Sequence, residues 1–380
     1  MCPAFLDLPD AVSVIPRGRV SLARRLSISL ATLPPLAARA VLLVLALVIA
    51  LGLIPASRFG RAATPPTAQA AATAQARPRG SDADFYRAVI RRMKKGEPYE
   101  VAAVSEQRAE GYAVRPFLTV RPPLLATLLS WEPSETFGAV VQGLLALAVI
   151  VAWSLRLRKP DSKRTVWKAF LIFTGVAAAL TGGSSSLFHE LWAGLLIALS
   201  LALRTEKRFV AAVVLGLLAA LIRELALPYL IVMAGSALME RRRIEAVSFA
   251  AAFVIAIGAL ALHAQAAIAL ENSHDSASPT WLALGGWPFL LATAKWNVMT
   301  VVVGGWLTAA LVPLAVIGAA SRTEDPRLLV LVAGYSAGFL IVGRPENYYW
   351  GLVIAPLMGV GLALAPAALI ELGRAARRAA

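Results

Sequence analysis

Only one cysteine, Cys2, occurs in the chain, which excludes an internal disulfide framework and any cysteine-built metal cluster. Histidine is nearly as scarce: His189, His263 and His274 are the full set, and their spacing matches no metal motif. Charged residues amount to 16% against 58% hydrophobic, and the mean hydropathy of +0.70 lies outside the range of soluble globular chains. No segment alternates as a strand, no glycine-rich phosphate loop follows one, and no G-x-S-x-G occurs. His189-Glu190 in HELWAG lacks the second histidine of H-E-x-x-H, so zinc protease chemistry has no basis. No internal repeat is visible either.

What the sequence does contain is a succession of apolar runs. The first covers residues 34–56, and others follow at 136–155, 167–182, 188–203, 209–222, 225–239, 245–265, 298–319, 328–343 and 351–370. The fold class expected is therefore all-α: a polytopic transmembrane protein of about ten helices, several shorter than the roughly 20 residues of a straight span. Short or broken helices suit a membrane protein where they line an internal cavity rather than lipid. Around these runs we expect a cytoplasmic arm at 1–33, a tether at 57–80 rich in Ala and Pro, a large loop at 81–133, a helical domain at 134–372 and a tail at 373–380. The first run is long enough to span and has no A-x-A site after it, so it reads as an uncleaved anchor.

Charge sets the expected orientation. The net charge of +15 would suggest nucleic acid in a soluble chain, but here lysine and arginine sit in short clusters between apolar runs. That pattern points to anionic lipid headgroups and to no nucleic acid. With both termini cytoplasmic, the connections 156–168, 204–208, 240–243, 321–327 and the tail hold 17 Lys/Arg on the inner side. The short outer connections hold only Arg223, Lys295 and Arg344. The loop 57–123 carries 12 Lys/Arg on the outer side, which long loops tolerate. All three histidines then fall on or near the outer face. So do Trp131, Trp281, Trp287, Trp296, Trp350, Tyr348 and Tyr349, which read either as an interfacial belt or as surfaces for sugar stacking.

The outer loop holds the first candidate chemistry. Asp82 and Asp84 open DADFYRAVIRRMKKG, where Phe85, Val89 and Met93 recur every four residues among basic neighbours: an interfacial amphipathic helix ended by Gly96. One acid at a helix start is explained by capping, and two exceed what capping needs. The alternative role is a general base that takes the proton of an attacking hydroxyl. Which aspartate does which is open from sequence. Read as a metal-binding D-x-D, the pair suits Mg²⁺ or Mn²⁺. That reading is not favoured, because nucleotide sugars are not expected on the outer side.

Arg223-Glu224 interrupts the apolar LGLLAALIRELALPYLIV, and Arg344 with Glu346 lies in GRPENYYWG. Each arginine reads either as half of a local ion pair or as a fork that clamps a phosphate. Supporting residues on the same face are His189, Glu190, Glu224, Glu346, Tyr348 and Tyr349. A lone histidine at a helix end is more often a structural hydrogen-bond partner than a catalyst.

Together DADFYRAVIRRMKKGEPY, the following Arg121-Pro122-Pro123, HELWAG, LIRELALPYL and RPENYYWGLVIAP resemble the outer-face segments of the GT-C superfamily of polytopic glycosyltransferases. The later HELWAG, LIRELALPYL and RPENYYWGLVIAP segments look similar to outer-face turns of bacterial members related to the polyprenol-phosphate mannosyltransferases. The resemblance implies inverting transfer of a sugar from a polyprenyl-phosphate donor to a hydroxyl of a glycan, lipid or protein acceptor. It further implies a bacterial inner membrane, an active site facing the periplasm, and Asp82 or Asp84 as base. The chain departs from larger members in lacking their adjacent Asp-Glu pair. A transporter or flippase for a lipid-linked or anionic solute is the alternative, and a non-catalytic scaffold of envelope assembly is the third. Transporters place ionisable residues near mid-membrane and often carry repeats, whereas here the charges gather at one face.

Overall fold

The computed structural model describes residues 30–56, 81–132, 134–158, 165–321 and 325–378. Most of the expected arm, the whole tether and part of the basic connection 156–168 lie outside the described residues. In a lipid setting each backbone N–H and C=O must be bonded within the chain, so the apolar runs become helices.

Helix α1 (Pro35–Ala56) precedes the loop, which folds as α2 (Asp82–Lys94), α3 (Tyr99–Glu110) and α4 (Leu124–Ser130). The main body follows as α5 (Glu135–Arg156), α6 (Thr165–Val176), α7 (His189–Leu203), α8 (Val210–Ile222), α9 (Leu227–Met239) and α10 (Arg243–Ile268). It ends with α11 (Gly286–Thr293), α12 (Met299–Val303), α13 (Thr308–Ala320), α14 (Arg327–Ile341) and α15 (Ala355–Ala376). Among the described residues the one β-type pairing is an isolated bridge between Arg115 and Ala277.

The chain is thus an all-α membrane protein. Among the described residues four helices are long and apolar enough to cross a bilayer: Pro35–Ala56, Thr136–Arg156, Arg243–Ile268 and Ala355–Ala376. Of the others in the body, α6, α7, α8, α9, α13 and α14 run 12 to 15 residues, and α11 and α12 are shorter still. At 1.5 Å per residue the former reach roughly 18–23 Å, short of the ~30 Å hydrocarbon core. Several continue instead into 3₁₀ turns, namely Ala177–Leu180, Glu224–Ala226, Gly305–Leu307 and Pro345–Val353. Glu224–Ala226 and Pro345–Val353 contribute Glu224 and Tyr349 to the charged site described below, and Ala177–Leu180 lines a cavity near it.

Helix α15 is the central post, buried without interruption from Ala355 to Ala365. Its neighbours approach through small residues, the usual route to close packing where lipid tails remove the hydrophobic drive. A Cβ placed on Gly318 would lie 1.9 Å from the Gly361 carbonyl oxygen, a rigid backbone atom. We expect Gly318→Leu to force α13 off α15 and lower the melting temperature of the detergent-solubilised protein by several degrees. Gly235→Leu, where an added Cβ meets nothing within 4 Å, should leave it within a degree or two.

The basic connections meet at one end of the bundle. Arg204 bonds Glu245 at 2.8 Å and Glu240 at 3.1 Å, Arg327 bonds Glu240 at 2.8 Å, and Arg156 bonds Asp325 at 2.7 Å. Arg204 and Arg327 are buried, so the network ties α5, α7, α10 and α14 together at that end. The loop helices occupy the other end. The Phe85–Val89–Met93 stripe of α2 packs into an apolar cluster with Tyr99, Ala102 and Val120, and with Ala267 at the end of α10. Protein therefore covers the stripe that amphipathicity assigned to the membrane surface. His263 anchors the same unit, its Nδ1 lying 3.2 Å from Glu100 and its Nε2 3.1 Å from the Val120 carbonyl. Arg108 adds two bonds to Asp275, at 2.7 and 2.8 Å, which hold that carboxyl down at about 2.

Candidate functional site

The two aspartates of α2 separate by role. Ser81 caps the helix: its Oγ accepts from the Asp84 N–H at 3.2 Å, and the Asp84 carboxylate accepts from the Ser81 backbone N–H at 3.4 Å, a complete capping box, and also from the Ser81 hydroxyl at 2.7 Å. The other Asp84 oxygen takes Arg87 at 3.1 Å. Bonds from Ser81, then Arg87, hold the Asp84 carboxyl below its ordinary value. Asp82 has a different partner, accepting from the Tyr112 hydroxyl at 2.6 Å. Burial, then the bond to Asp82, pushes the Tyr112 phenol up, so it remains a donor. Two positions apart on a helix are rotated by roughly 200°, so these carboxylates do not face a common point. Among the described residues no three His, Cys, Asp or Glu side chains gather in a group able to hold a metal ion.

Beneath α2 lies a buried cluster assembled from four distant segments. Tyr86 of α2 packs its ring on His189 at 5.1 Å, and His189 begins α7. The next residue, Glu190, forms an ion pair with Arg223 at 2.7 Å and lies 3.9 Å from Arg121. Arg223 also pairs with Glu224. Arg121 donates to the Tyr349 hydroxyl at 2.7 Å and lies over that ring at 5.9 Å. The Tyr86 hydroxyl shares this environment. Burial pushes it up to about 12; Arg121 opposes the rise, while Glu190, Tyr349 and Asp82 add to it. Tyr86 therefore has Arg121, Glu190, Tyr349 and Asp82 as its electrostatic neighbours.

Several buried polar atoms here have no hydrogen-bond partner among the described residues: Arg121 Nε, both ring nitrogens of His189, Asn347 Oδ1 and Trp350 Nε1. An orphaned buried group costs about 1–3 kcal/mol, so each of these atoms has capacity for a further polar partner.

Not every expected residue joins the cluster. Arg344 donates to the Pro279 carbonyl at 3.1 Å and pairs with the exposed Glu346 at 3.0 Å, and none of its partners touches Arg223. Tyr348 stacks on Trp296 at 5.6 Å with planes 5° apart, on the far side of its turn from Tyr349. Arg223 belongs to the cluster, but its guanidinium is 1% exposed and held on two sides by glutamates. The residue missed from sequence is Arg121. The available signal was position: it is the sole arginine between 116 and 155, directly before Pro122-Pro123.

Two cavities flank the cluster. An apolar groove of about 270 Å³ runs between α9 and α14, lined by Val232, Leu331, Tyr335 and Phe339, and reaches Leu225 and Trp350 at its upper end. Leu225 directly follows Glu224 in the chain. A second cavity of about 300 Å³ lies across the start of α7, where Phe188, Leu191 and Leu352 form one wall. A charged head beside an apolar trough is an arrangement for an amphiphile. No family model, curated protein or solved structure matches this chain.

Proposed function

We propose that the chain is a glycosyltransferase of GT-C type in a bacterial inner membrane, moving a sugar from a polyprenyl-phosphate donor to an acceptor hydroxyl. The observation that carries this reading is the apolar groove between α9 and α14, whose lining includes Leu225, the residue after Glu224 of the Arg121–Glu190–Arg223–Glu224 cluster. A polyprenyl chain has the chemistry of the groove, and a phosphate has that of the cluster. Arg121 presents the fork, with its Nε unpartnered among the described residues; Arg223 is a positioning residue that fixes Glu190. The basic ion network marks the cytoplasmic end by the positive-inside rule, which puts α2 to α4 on the periplasmic side. In this topology about ten helices cross or enter the membrane, and both termini are cytoplasmic.

The step is a displacement at the anomeric carbon. The acceptor oxygen forms the new C–O bond, the bond to the donor phosphate oxygen breaks, and the polyprenyl phosphate leaves with its electron pair. Asp82 takes the hydroxyl proton, and the configuration inverts. Tyr112 keeps the Asp82 carboxylate oriented through the opposite oxygen.

The test uses the full-length protein in liposomes with a polyprenyl-phosphate sugar labelled in the sugar. We expect protein-dependent release of polyprenyl phosphate and labelled product. Gly334→Phe, which fills the groove at a glycine with nothing within 4 Å of an added Cβ, should reduce both at least tenfold. Retention of the label on the donor at all protein concentrations and with added membrane extract as acceptor would overturn the reading.

A further inference from the structure

The second cavity has features that the donor groove lacks. Its floor is the turn Thr181–Ser185, where Gly182 takes φ of 120°, and Ser184 there accepts from Arg87 of α2 at 2.8 Å. That bond joins the cavity rim to the helix bearing Asp82. Lys295 and Trp296 also line the cavity, and the Trp296 ring is fixed by stacking on Tyr348 and by its own Nε1 bond to the Tyr348 carbonyl at 3.1 Å. The remaining wall is aliphatic, and Val301 at its edge is 80% exposed, continuous with the exposed Val302. A cation, hydroxyls and an aromatic face over an aliphatic wall open to one side are complementary to an anionic head on an apolar chain. They do not match a neutral soluble glycan, which needs no aliphatic wall, or an extended protein segment, which needs backbone partners.

We propose that this cavity binds the acceptor, and that the acceptor is an anionic membrane lipid whose hydroxyl-bearing head lies between Lys295 and the 181–185 turn with its chain along Val298 and Val301. The word acceptor rests on the transfer reading above; the binding claim does not. The two substrates then enter from opposite sides of the α7 start, and their heads meet under α2, where Phe188, His189 and Glu190 follow one another in sequence.

The deciding experiment measures lipid retention by the intact detergent-solubilised protein in native mass spectrometry, with phosphatidylglycerol and polyprenyl phosphate as separate probes. Lys295→Glu is expected to weaken phosphatidylglycerol retention about tenfold, the worth of one charge-assisted contact, and Val301→Trp to do the same by blocking the edge. Lys295→Arg should restore it. All three should hold polyprenyl phosphate as the parent protein does, whereas Gly334→Phe should lose polyprenyl phosphate and keep phosphatidylglycerol. Glycerol 3-phosphate should fail to displace the lipid. In liposomes of anionic membrane lipid, label from the donor should partition into the lipid extract. Unchanged phosphatidylglycerol retention in both Lys295→Glu and Val301→Trp would overturn the site. Displacement by glycerol 3-phosphate would make it a soluble-anion site and overturn the lipid, and label recovered in the aqueous or protein fraction would overturn the acceptor role. Loss of polyprenyl phosphate in none of the variants, Gly334→Phe included, would instead count against the donor groove.

Discussion

Asp82→Asn should lower sugar transfer by about 10²–10⁴-fold, the usual worth of a general base, while leaving fold and donor retention intact. An asparagine there still accepts from Tyr112, so α2 and its packing persist, but its amide cannot take the acceptor proton. Asp84→Asn should cost transfer no more than a few fold. Its oxygens are committed to Ser81 and Arg87, and asparagine at that position retains an acceptor for the capping box. Ser81→Ala should resemble Asp84→Asn, fraying the helix start without touching the chemistry; caps of this kind contribute about 0.5–2 kcal/mol. Initial rates in donor-loaded liposomes, with melting temperatures measured in parallel, separate the cases. Transfer at the parental rate in Asp82→Asn, or a larger loss in Asp84→Asn, would remove Asp82 from the role.

That separation was not available from sequence, although much around it was. The i, i+4 apolar stripe and the terminating Gly96 mark α2 directly, because both are local properties of the chain. The basic clusters likewise read correctly as one group at one end, where they close into the network of Arg156, Arg204 and Arg327. The choice between Asp82 and Asp84 depends on Tyr112, thirty residues on, and the choice between Arg344 and Arg121 depends on which arginine the fold lays against Tyr349. Arg121 and Tyr349 are 228 positions apart and meet only because the 345–353 turn packs beside the loop. Isolation within an apolar run singled out Arg223 and Arg344, but isolation does not tell a ligand contact from a satisfied ion pair. The covered stripe of α2 is a similar case. Its periodicity announces an apolar partner, and only the folding of α3 and Val120 back onto it, with Ala267 beside them, makes that partner protein.

Arg121→Ala should weaken retention of polyprenyl phosphate by about 10–100-fold, the equivalent of one charge-assisted contact of about 1.5–3 kcal/mol, with the melting temperature nearly unchanged. Its removal leaves Glu190 paired with Arg223, so no buried carboxylate is stranded, and the lost contact within the protein is the bond to Tyr349. Arg121→Lys should recover only part of the affinity, since an ammonium carries the charge without the planar fork. Arg223→Ala should behave in the opposite way. With that guanidinium gone, Glu190 and Glu224 lose their shared partner in the buried cluster, and breaking such a pair costs about 3–5 kcal/mol, so the variant should be poorly folded before donor affinity is in question. Arg344→Ala should bind the donor as the parent does, because its contacts are to Ser278, Pro279 and Glu346. Parental retention in Arg121→Ala, or a large selective loss in Arg344→Ala, would return the phosphate to the arginine that isolation first suggested. The predicted order places the clamp where two conditions coincide: a guanidinium with donors to spare, and a carboxylate neighbour that another cation already neutralises.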